Sequence, residues 1–114
     1  MTETIFDKIL AKKIPADPVY EDEHVLAFND INPQAPTHVL VIPKHKFRGF
    51  AELSSADPMV VGQFMTRVAQ VAEKIGLVSG GYRIVFNEGR DGQQSVDYIH
   101  AHILGGRSLS WPPG

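Results

Sequence analysis

The alternation of apolar and polar residues predicts two helices of very different length. The first begins after Thr4, which can cap it, with Asp7 near its positive end, and it carries four apolar residues on one face: Ile5, Phe6, Ile9 and Leu10. The second begins at Asp57 and Pro58, a capping carboxylate followed by proline, and Gly76 ends it after about five turns of 3.6 residues. Its apolar stripe consists of Val60, Val61, Phe64, Met65, Val68, Val71, Ala72 and Ile75.

Four further segments have the apolar and β-branched character of strands: residues 24–29, 39–42, 82–87 and 96–104. Pro43 stops the second of them, and the last two follow one another without an intervening helix, which favours an antiparallel pair. No repeat, low-complexity tract or linker divides the chain. The order helix, strands, helix, strands therefore predicts an α+β fold, an antiparallel sheet with one long and one short helix, in a single domain over residues 1–114.

Composition narrows the classes of function. The 114 residues include no cysteine, which excludes a thiol nucleophile, a thiolate zinc site and an iron-sulfur cluster. The net charge of -2 provides no field that would attract a nucleic acid, and no apolar run reaches the roughly 20 residues of a membrane span. The acidic first residues differ from the basic start of a signal peptide. We therefore expect a cytoplasmic protein with neither nucleic-acid nor membrane partners.

Two histidines stand out in the last predicted strand. Alternate positions of a strand share a face, so Tyr98, His100 and His102 lie together while the intervening residues face the other way. Neutral imidazole can act as a nucleophile, a base or a metal ligand, and four interpretations remain open: a surface pair without a role, a zinc site, a general-base pair, and a nucleophilic imidazole with an acid beside it. A zinc site would need two ligands besides His100 and His102. The candidate ligands are His24, His38, His45 and the acidic residues, and none of them stands at a recognised metal-binding spacing.

Two polar segments offer partners for an anion or a sugar. The loop over residues 87–95 is rich in glycine, amides and hydroxyls, and it either presents donors to an anion or is an ordinary hairpin connection. The chain contains neither of the common glycine-rich phosphate motifs. Asp30, in a proline-rich turn over residues 30–37, either accepts hydrogen bonds from a sugar diol or caps its own turn.

Taken in order, these motifs resemble one family. The segment Tyr98-Ile99-His100-Ala101-His102-Ile103-Leu104 resembles the signature His-φ-His-φ-His-φ-φ of the histidine triad (HIT) superfamily, where φ is apolar. Residues 30–44 and the ending 111–114, Trp-Pro-Pro-Gly, resemble its histidine triad nucleotide-binding (Hint) branch. The likeness runs from about residue 5 to the C-terminus. Tyr98 departs from the signature, since it stands where the family has its first triad histidine.

The resemblance implies a purine nucleoside 5′-phosphoramidate hydrolase that needs no cofactor or metal and acts through a nucleotidyl-histidine intermediate. His100 matches the family's nucleophile, His102 the residue that supports the phosphate and the leaving group, and Ser95 the donor beside the leaving group. His38 matches a residue in a hydrogen-bond chain with the first triad side chain. The ligand would be an AMP-like purine nucleotide, and Asp30 would hold its ribose hydroxyls. The positions that match the family's nucleotide-binding residues are Ile5, Phe6, Ile9, Phe28, Asn29, Asp30, Ile31, Leu40, Asn87, Gln94, Val96, Tyr98 and Trp111.

The same resemblance implies a twofold homodimer, with the long helix and a strand edge at the interface and Trp111 in a tail that reaches toward the partner's active site. Three other functions remain open. The chain is alternatively a nucleotide-binding scaffold or regulatory protein with little turnover, a metal-dependent hydrolase built on His100, His102 and His38, or a dinucleoside polyphosphate hydrolase.

Overall fold

The computed structural model describes residues 2–114 and shows an α+β architecture. The elements in chain order are α1 (Ile5–Leu10), β1 (Pro18–Glu21), β2 (Val25–Asn29), β3 (Thr37–Pro43), a 3₁₀ helix (Phe50–Ser55), α2 (Pro58–Lys74), β4 (Tyr82–Val85) and β5 (Ala101–Gly105). The strands form one five-stranded antiparallel sheet in the order β1-β2-β3-β5-β4. The predicted antiparallel sheet with one long and one short α-helix is therefore confirmed.

Both α-helices begin, and α2 also ends, where local signals predicted. Thr4 caps α1 through a reciprocal pair of bonds with Asp7: the Asp7 N–H donates to Thr4 Oγ1 at 3.2 Å, and the Thr4 N–H donates to Asp7 Oδ2 at 2.7 Å. Asp57 caps α2 by accepting from the N–H of Met59 at 2.9 Å, and Gly76 follows the helix with a φ of 84°. Within residues 2–114, neither α-helix has the length and apolar character that a membrane crossing requires.

The sheet separates two apolar clusters, because successive residues of a strand face opposite sides. On one side α2 packs against the sheet, and this cluster contains Val25, Ala27, Val39, Val41, Phe47, Phe64, Val68, Val71, Ala72, Leu77, Ile99, Ala101 and Ile103. On the other side α1 packs against the sheet, and this cluster contains Phe6, Ile9, Leu26, Phe28, Leu40, Ile42 and Tyr98. The second side is the one that carries the histidines.

The last predicted strand is much shorter than its apolar pattern indicates. It was predicted over residues 96–104, but β5 begins only at Ala101. Residues 96–100 do not pair with a neighbouring strand. One reason is that β4 stops at Val85, opposite His102. The other is that the N–H of Ile99 donates to the carbonyl of Phe47 at 2.8 Å instead of to a strand. The predicted alternation of faces nevertheless persists through this irregular segment. Other ends also differ: β3 begins at residue 37 and not 39, and β4 ends at 85 and not 87. Neither β1 nor the 3₁₀ helix was predicted.

Candidate active site

Three histidines lie in a row on the sheet face that α1 covers. His38 is in β3 and His102 is in β5, where it pairs with Leu40, two residues beyond His38. His100 lies just before β5. The ring centroids of His38 and His102 are 5.2 Å apart, and those of His100 and His102 are 4.9 Å apart. The sheet thus joins His38 to a residue 64 positions away in the sequence.

The hydrogen bond of His100 defines which of its nitrogens is free. Its Nδ1 lies 2.8 Å from the backbone carbonyl oxygen of Tyr98. A carbonyl only accepts, so Nδ1 carries the proton and donates it. The neutral ring therefore keeps a lone pair on Nε2, the nitrogen that faces away from the backbone. This is the form that attacks an electrophile.

His38 and His102 are linked in the opposite sense. The backbone N–H of Gln34 donates to Nδ1 of His38 at 3.0 Å, so this nitrogen is unprotonated and Nε2 of His38 carries the proton. Nε2 of His38 in turn lies 2.9 Å from Nδ1 of His102. His102 therefore accepts at Nδ1 and holds its own proton on Nε2. The two neighbouring rings therefore present different groups: His100 has a lone pair on Nε2, and His102 has an N–H on Nε2.

Burial keeps these imidazoles neutral near pH 7. Removal from water lowers the pKa of His38, His100 and His102, because the charged form loses its hydration. For His102 the neighbouring imidazoles add repulsion, and its pKa falls to about 4. The Asp30 carboxylate opposes these shifts; its Oδ2 lies 3.4 Å from Nε2 of His38. The neutral row can present an acceptor and a donor together, which fully protonated rings cannot do.

The Tyr98 side chain takes no part in the row. It is 1% exposed, and its hydroxyl donates to the backbone carbonyl of Pro43 at the end of β3. Burial raises the pKa of this phenol above its usual value. We expected His38 to share a hydrogen-bond chain with the side chain at position 98, but His38 pairs with His102 instead. What Tyr98 supplies to the site is its backbone carbonyl.

The apolar residues expected beside the nucleoside are largely brought together. Phe6, Ile9, Phe28 and Leu40 are buried in one cluster, with Val96 packed against it. The Phe6 ring meets His100 edge-on, with the ring centroids 4.9 Å apart. Ile5 is 49% exposed and so contributes an outer surface of α1. The short helix therefore forms a wall directly against the candidate nucleophile.

Asp30 caps its own turn and also faces the histidines. Its Oδ1 accepts from the N–H of Asn32 at 2.8 Å, which caps the turn, while Oδ2 faces His38. The neighbouring Asn29 amide donates to Asp17 at 2.9 Å, and Ile31 is 98% exposed. Of these three adjacent residues, Asp30 is the one in contact with the histidines.

Several donors of the loop over residues 87–95 are engaged within the chain. The Asn87 amide donates to the carbonyl of Gly92 at 2.7 Å, and the N–H of Gly89 donates to Gln94 Oε1 at 2.9 Å. Gln94 Nε2 donates to the carbonyls of Arg48 and Val96 at 2.8 and 3.0 Å. These bonds brace the loop, as in an ordinary connection between strands, and they engage one of the two N–H groups of the Asn87 amide.

Ser95 and Trp111 are both exposed. Ser95 is exposed and lines an open cavity of about 500 Å³ together with Gln94, Val96 and the start of α1, and none of the three histidines lines this cavity. Trp111 is 78% exposed; the Arg83 guanidinium lies 5.7 Å from its ring centroid, and Arg83 Nη2 donates to the carbonyl of Ser110 at 2.9 Å. The tail is thus held on the edge strand β4.

Several groups around the site were missed by sequence reasoning. The N–H of Gln34 and the carbonyl of Tyr98 are backbone atoms, which no residue type reveals. Arg107 donates to the carbonyl of Gln34 at 2.9 Å, and Lys46 donates to Asp7 at 2.8 Å while lying 5.4 Å from the Tyr98 ring centroid. Only the positive charges of Arg107 and Lys46 could have signalled these contacts in the sequence.

Asp30, His38 and His102 could together hold a metal ion, but the two imidazoles are spaced for a hydrogen bond to one another and not for a shared zinc. Within residues 2–114, the donor atoms that converge belong to Asp30, His38 and His102 and lie within 4.8 Å of one another; His100 is not among them. Two nitrogens bound to one tetrahedral zinc at roughly 2.0–2.1 Å would be about 3.3 Å apart. Nε2 of His38 and Nδ1 of His102 are 2.9 Å apart and share a proton, which is hydrogen-bond geometry.

Comparison with known proteins gives a family and close relatives. The family model described as the HIT domain matches residues 11–109. A protein of Zea mays named 14 kDa zinc-binding protein is 53% identical over 113 residues, which cover 97% of this chain and 88% of that protein. The protein of Arabidopsis thaliana named adenylylsulfatase HINT1 is 48% identical over 114 residues, which cover 97% of this chain and 76% of that protein.

A solved structure agrees with the observed fold. The crystal structure of a HIT family hydrolase from Legionella pneumophila superposes with a TM-score of 0.90 at 44% sequence identity. The superposition covers 96% of this chain and 98% of that one. The same architecture therefore extends over nearly all of both chains.

Proposed function

The chain belongs to the HIT domain family, and from this premise we propose that it is a purine nucleoside 5′-phosphoramidate hydrolase. In this proposal His100 attacks the α-phosphorus, and His102 donates a hydrogen bond to the phosphoryl group. Tyr98 occupies the position of the first triad histidine. No metal or cofactor takes part.

One observation carries the proposal: the neighbouring rings of His100 and His102 offer complementary groups. The His100 lone pair on Nε2 forms a bond to phosphorus, and the P–N bond of the substrate breaks with its electron pair going to the amine, which takes a proton from Ser95 as it leaves. Ser95 regains a proton from the water that attacks in the next step. Water then attacks the nucleotidyl-histidine, releases the nucleotide and restores the imidazole. The N–H of His102 meets the negative charge that develops on the phosphoryl oxygens in both steps.

The surroundings support a nucleoside beside this row. Asp30 has a carboxylate oxygen, Oδ2, on the histidine side, where it can accept from ribose hydroxyls. The buried rings of Phe6 and Phe28 pack edge to face with their centroids 5.7 Å apart, and the fully exposed Ile31 lies next to Asp30 in sequence. We propose that the base packs against this apolar wall, with Asn29, Leu40 and Val96 around it.

A second candidate substrate follows from a relative and from the position of Ser95. The Arabidopsis relative is named an adenylylsulfatase, and sulfate leaves phosphorus without needing a proton, whereas an amine must be protonated. Ser95, the expected proton donor, lines a cavity whose lining includes none of the three histidines. Cleavage of adenylyl sulfate by the same His100 attack is therefore the alternative.

The test compares both substrates on three proteins. Turnover of a fluorogenic adenosine phosphoramidate and of adenylyl sulfate is measured for the wild type, His100→Ala and His45→Ala. His45 is an exposed histidine that packs on Phe47 with ring centroids 4.8 Å apart, so it controls for the loss of any imidazole. We expect His100→Ala to abolish turnover and His45→Ala to retain it.

Mass mapping of a trapped intermediate distinguishes catalysis from binding alone. We expect a nucleotidyl adduct on the peptide that contains His100. Equal rates in wild type and His100→Ala would leave only the nucleotide-binding scaffold. A rate on adenylyl sulfate far above that on the phosphoramidate would favour the alternative substrate.

Several structural expectations belong to the same proposal. We propose that residues 1–114 form a single HIT domain, that the protein is a cytoplasmic homodimer, and that it has no nucleic-acid or membrane partner. In the dimer Trp111 would extend toward the partner's site. Ser95 and His102 would assist the leaving group once substrate is bound.

A further inference from the structure

A chain of hydrogen bonds connects Arg107, beyond the end of β5, with the imidazole row. Arg107 Nη2 donates to the carbonyl of Gln34 at 2.9 Å, and the N–H of Gln34 donates to Nδ1 of His38 at 3.0 Å. Nε2 of His38 then lies 2.9 Å from Nδ1 of His102. Residue 34 is thus held at its carbonyl by Arg107 while its N–H meets the first imidazole.

The direction of this chain sets where two protons reside. A backbone N–H can only donate, so it prevents protonation of His38 at Nδ1 for as long as the contact persists. His38 must then donate from Nε2, and His102 must accept at Nδ1. The N–H on Nε2 of His102, which the proposed reaction uses, is therefore a consequence of the position of the Gln34 backbone.

Within the turn that carries Gln34, the N–H of Asp30 donates to the carbonyl of His38 at 3.0 Å and Gln34 Nε2 donates to the carbonyl of Asn32 at 3.0 Å, whereas Arg107 reaches the Gln34 carbonyl from outside the turn. Pro33 and Pro36 flank Gln34 and have no N–H group. The end of β5 approaches this turn closely at Gly106, which has a φ of 92° and where a Cβ atom would lie 2.9 Å from Cβ of Pro36. This close approach brings Arg107 within reach of the Gln34 carbonyl, and its Nη1 also donates to the carbonyl of Ser108 at 3.0 Å.

We propose that Arg107 is a positioning residue that holds the Gln34 backbone against His38 and so keeps His102 in the tautomer that donates from Nε2. Its effect on turnover rests on the function proposed above, whereas its effect on the tautomers does not. Arg107 acts through two imidazoles and touches no reacting atom.

The tautomers can be observed directly. Long-range ¹H–¹⁵N correlation spectra of the ¹⁵N-labelled protein distinguish the two neutral forms of each imidazole. In the wild type we expect a proton on Nδ1 of His100 and on Nε2 of both His38 and His102. In Arg107→Met we expect the His38 and His102 signals to move toward a mixture of tautomers, with His100 unchanged.

Two further variants make the comparison specific. Arg107→Lys keeps one donor for the Gln34 carbonyl, so it should restore the wild-type tautomers in large part. Arg90→Met removes an exposed guanidinium whose contact is the adjacent carboxylate of Asp91 at 3.0 Å, so it should leave all three histidine signals unchanged. With substrate, Arg107→Met should lower kcat about tenfold while KM changes less than about twofold.

The outcomes separate this inference from the proposed function. A wild-type proton on Nδ1 of His102 would overturn it without any variant, as would unaltered His38 and His102 signals in a folded Arg107→Met protein. If Arg107→Met does not fold, the wild-type spectrum and Arg107→Lys still decide. If the wild type hydrolyses neither nucleotide substrate, the function fails, while the tautomer shift continues to test Arg107.

Discussion

Replacing Tyr98 by Phe separates the role of its side chain from that of its backbone. The substitution removes one hydroxyl from a side chain that is 1% exposed, and it leaves the buried carbonyl of Pro43 without this donor. Loss of a partner for a buried acceptor typically costs about 1–3 kcal/mol. For a domain of this length about 1 kcal/mol shifts the melting temperature by roughly 4 °C, so we expect Tm to fall by about 4–12 °C.

Activity should respond differently from stability. The acceptor for Nδ1 of His100 is the backbone carbonyl of residue 98, which Phe supplies equally well. We therefore expect kcat and KM of Tyr98→Phe to stay within about twofold of the wild type, well below Tm. The assay pairs calorimetry with steady-state kinetics on a nucleoside phosphoramidate at 25 °C.

A matched tyrosine provides the control. Tyr82 on the edge strand β4 is 39% exposed, and Tyr82→Phe should change neither Tm nor kcat. A tenfold loss of kcat in Tyr98→Phe with an unaltered Tm would refute the reasoning, because it would place the phenol in the chemistry. An unaltered Tm with unaltered kinetics would show that the bond to Pro43 contributes little.

Five further outcomes are expected. Tyr98→His should raise phosphoramidase activity or shift its pH optimum; no change in either would show that this side chain is dispensable. Activity should survive excess EDTA, and loss with recovery on added zinc would establish a metal requirement. Since His102 titrates at about 4 when folded and at about 6.5 when unfolded, its contribution to the unfolding free energy should decline as pH falls from 6.5 to 4, by at most about 1.4 kcal/mol per unit. Urea titrations should show that the unfolding free energy continues to fall below pH 4, because the pKa of Asp22 lies far below its usual value. Burial opposes this shift, but N–H donors from His24 and Val25 favour the charged form of Asp22. An unfolding free energy that does not change with pH would contradict the predictions for His102 and for Asp22. Sedimentation should show a dimer, and a monomer at all concentrations would exclude the dimer. Fluorescence quenching should show that the only tryptophan, Trp111, is shielded in this dimer.

The helices could be predicted because their signals are local. Asp57 and Pro58 start α2 and Gly76 follows its end, each through contacts with residues one turn away. Thr4 and Asp7 form reciprocal side chain–backbone hydrogen bonds at the start of α1, and these are equally local. Such contacts are fixed by short stretches of sequence, so they hold in almost any tertiary setting.

The extent of the last strand could not be predicted, because it depends on distant partners. Residues 96–100 have the alternation of a strand, yet the N–H of Ile99 finds the carbonyl of Phe47, and the ladder with β4 stops at Val85. Both constraints come from segments that lie far apart in the chain. A periodic pattern indicates which face a residue occupies, but it does not indicate where the neighbouring strand ends.

In the candidate site, too, the sequence indicates which residues lie together but not which atoms they bond to. That His100 and His102 share a face followed from their spacing, whereas the location of their protons follows from a carbonyl at residue 98 and an N–H at residue 34. Every residue possesses a carbonyl, so a change of side chain at position 98 leaves the acceptor for His100 in place. A departure from the triad signature at Tyr98 is for this reason compatible with an intact nucleophile. The structure thus predicts that substitutions which move the backbone at positions 34 and 98 damage the chemistry more than those which change only the side chain at 98.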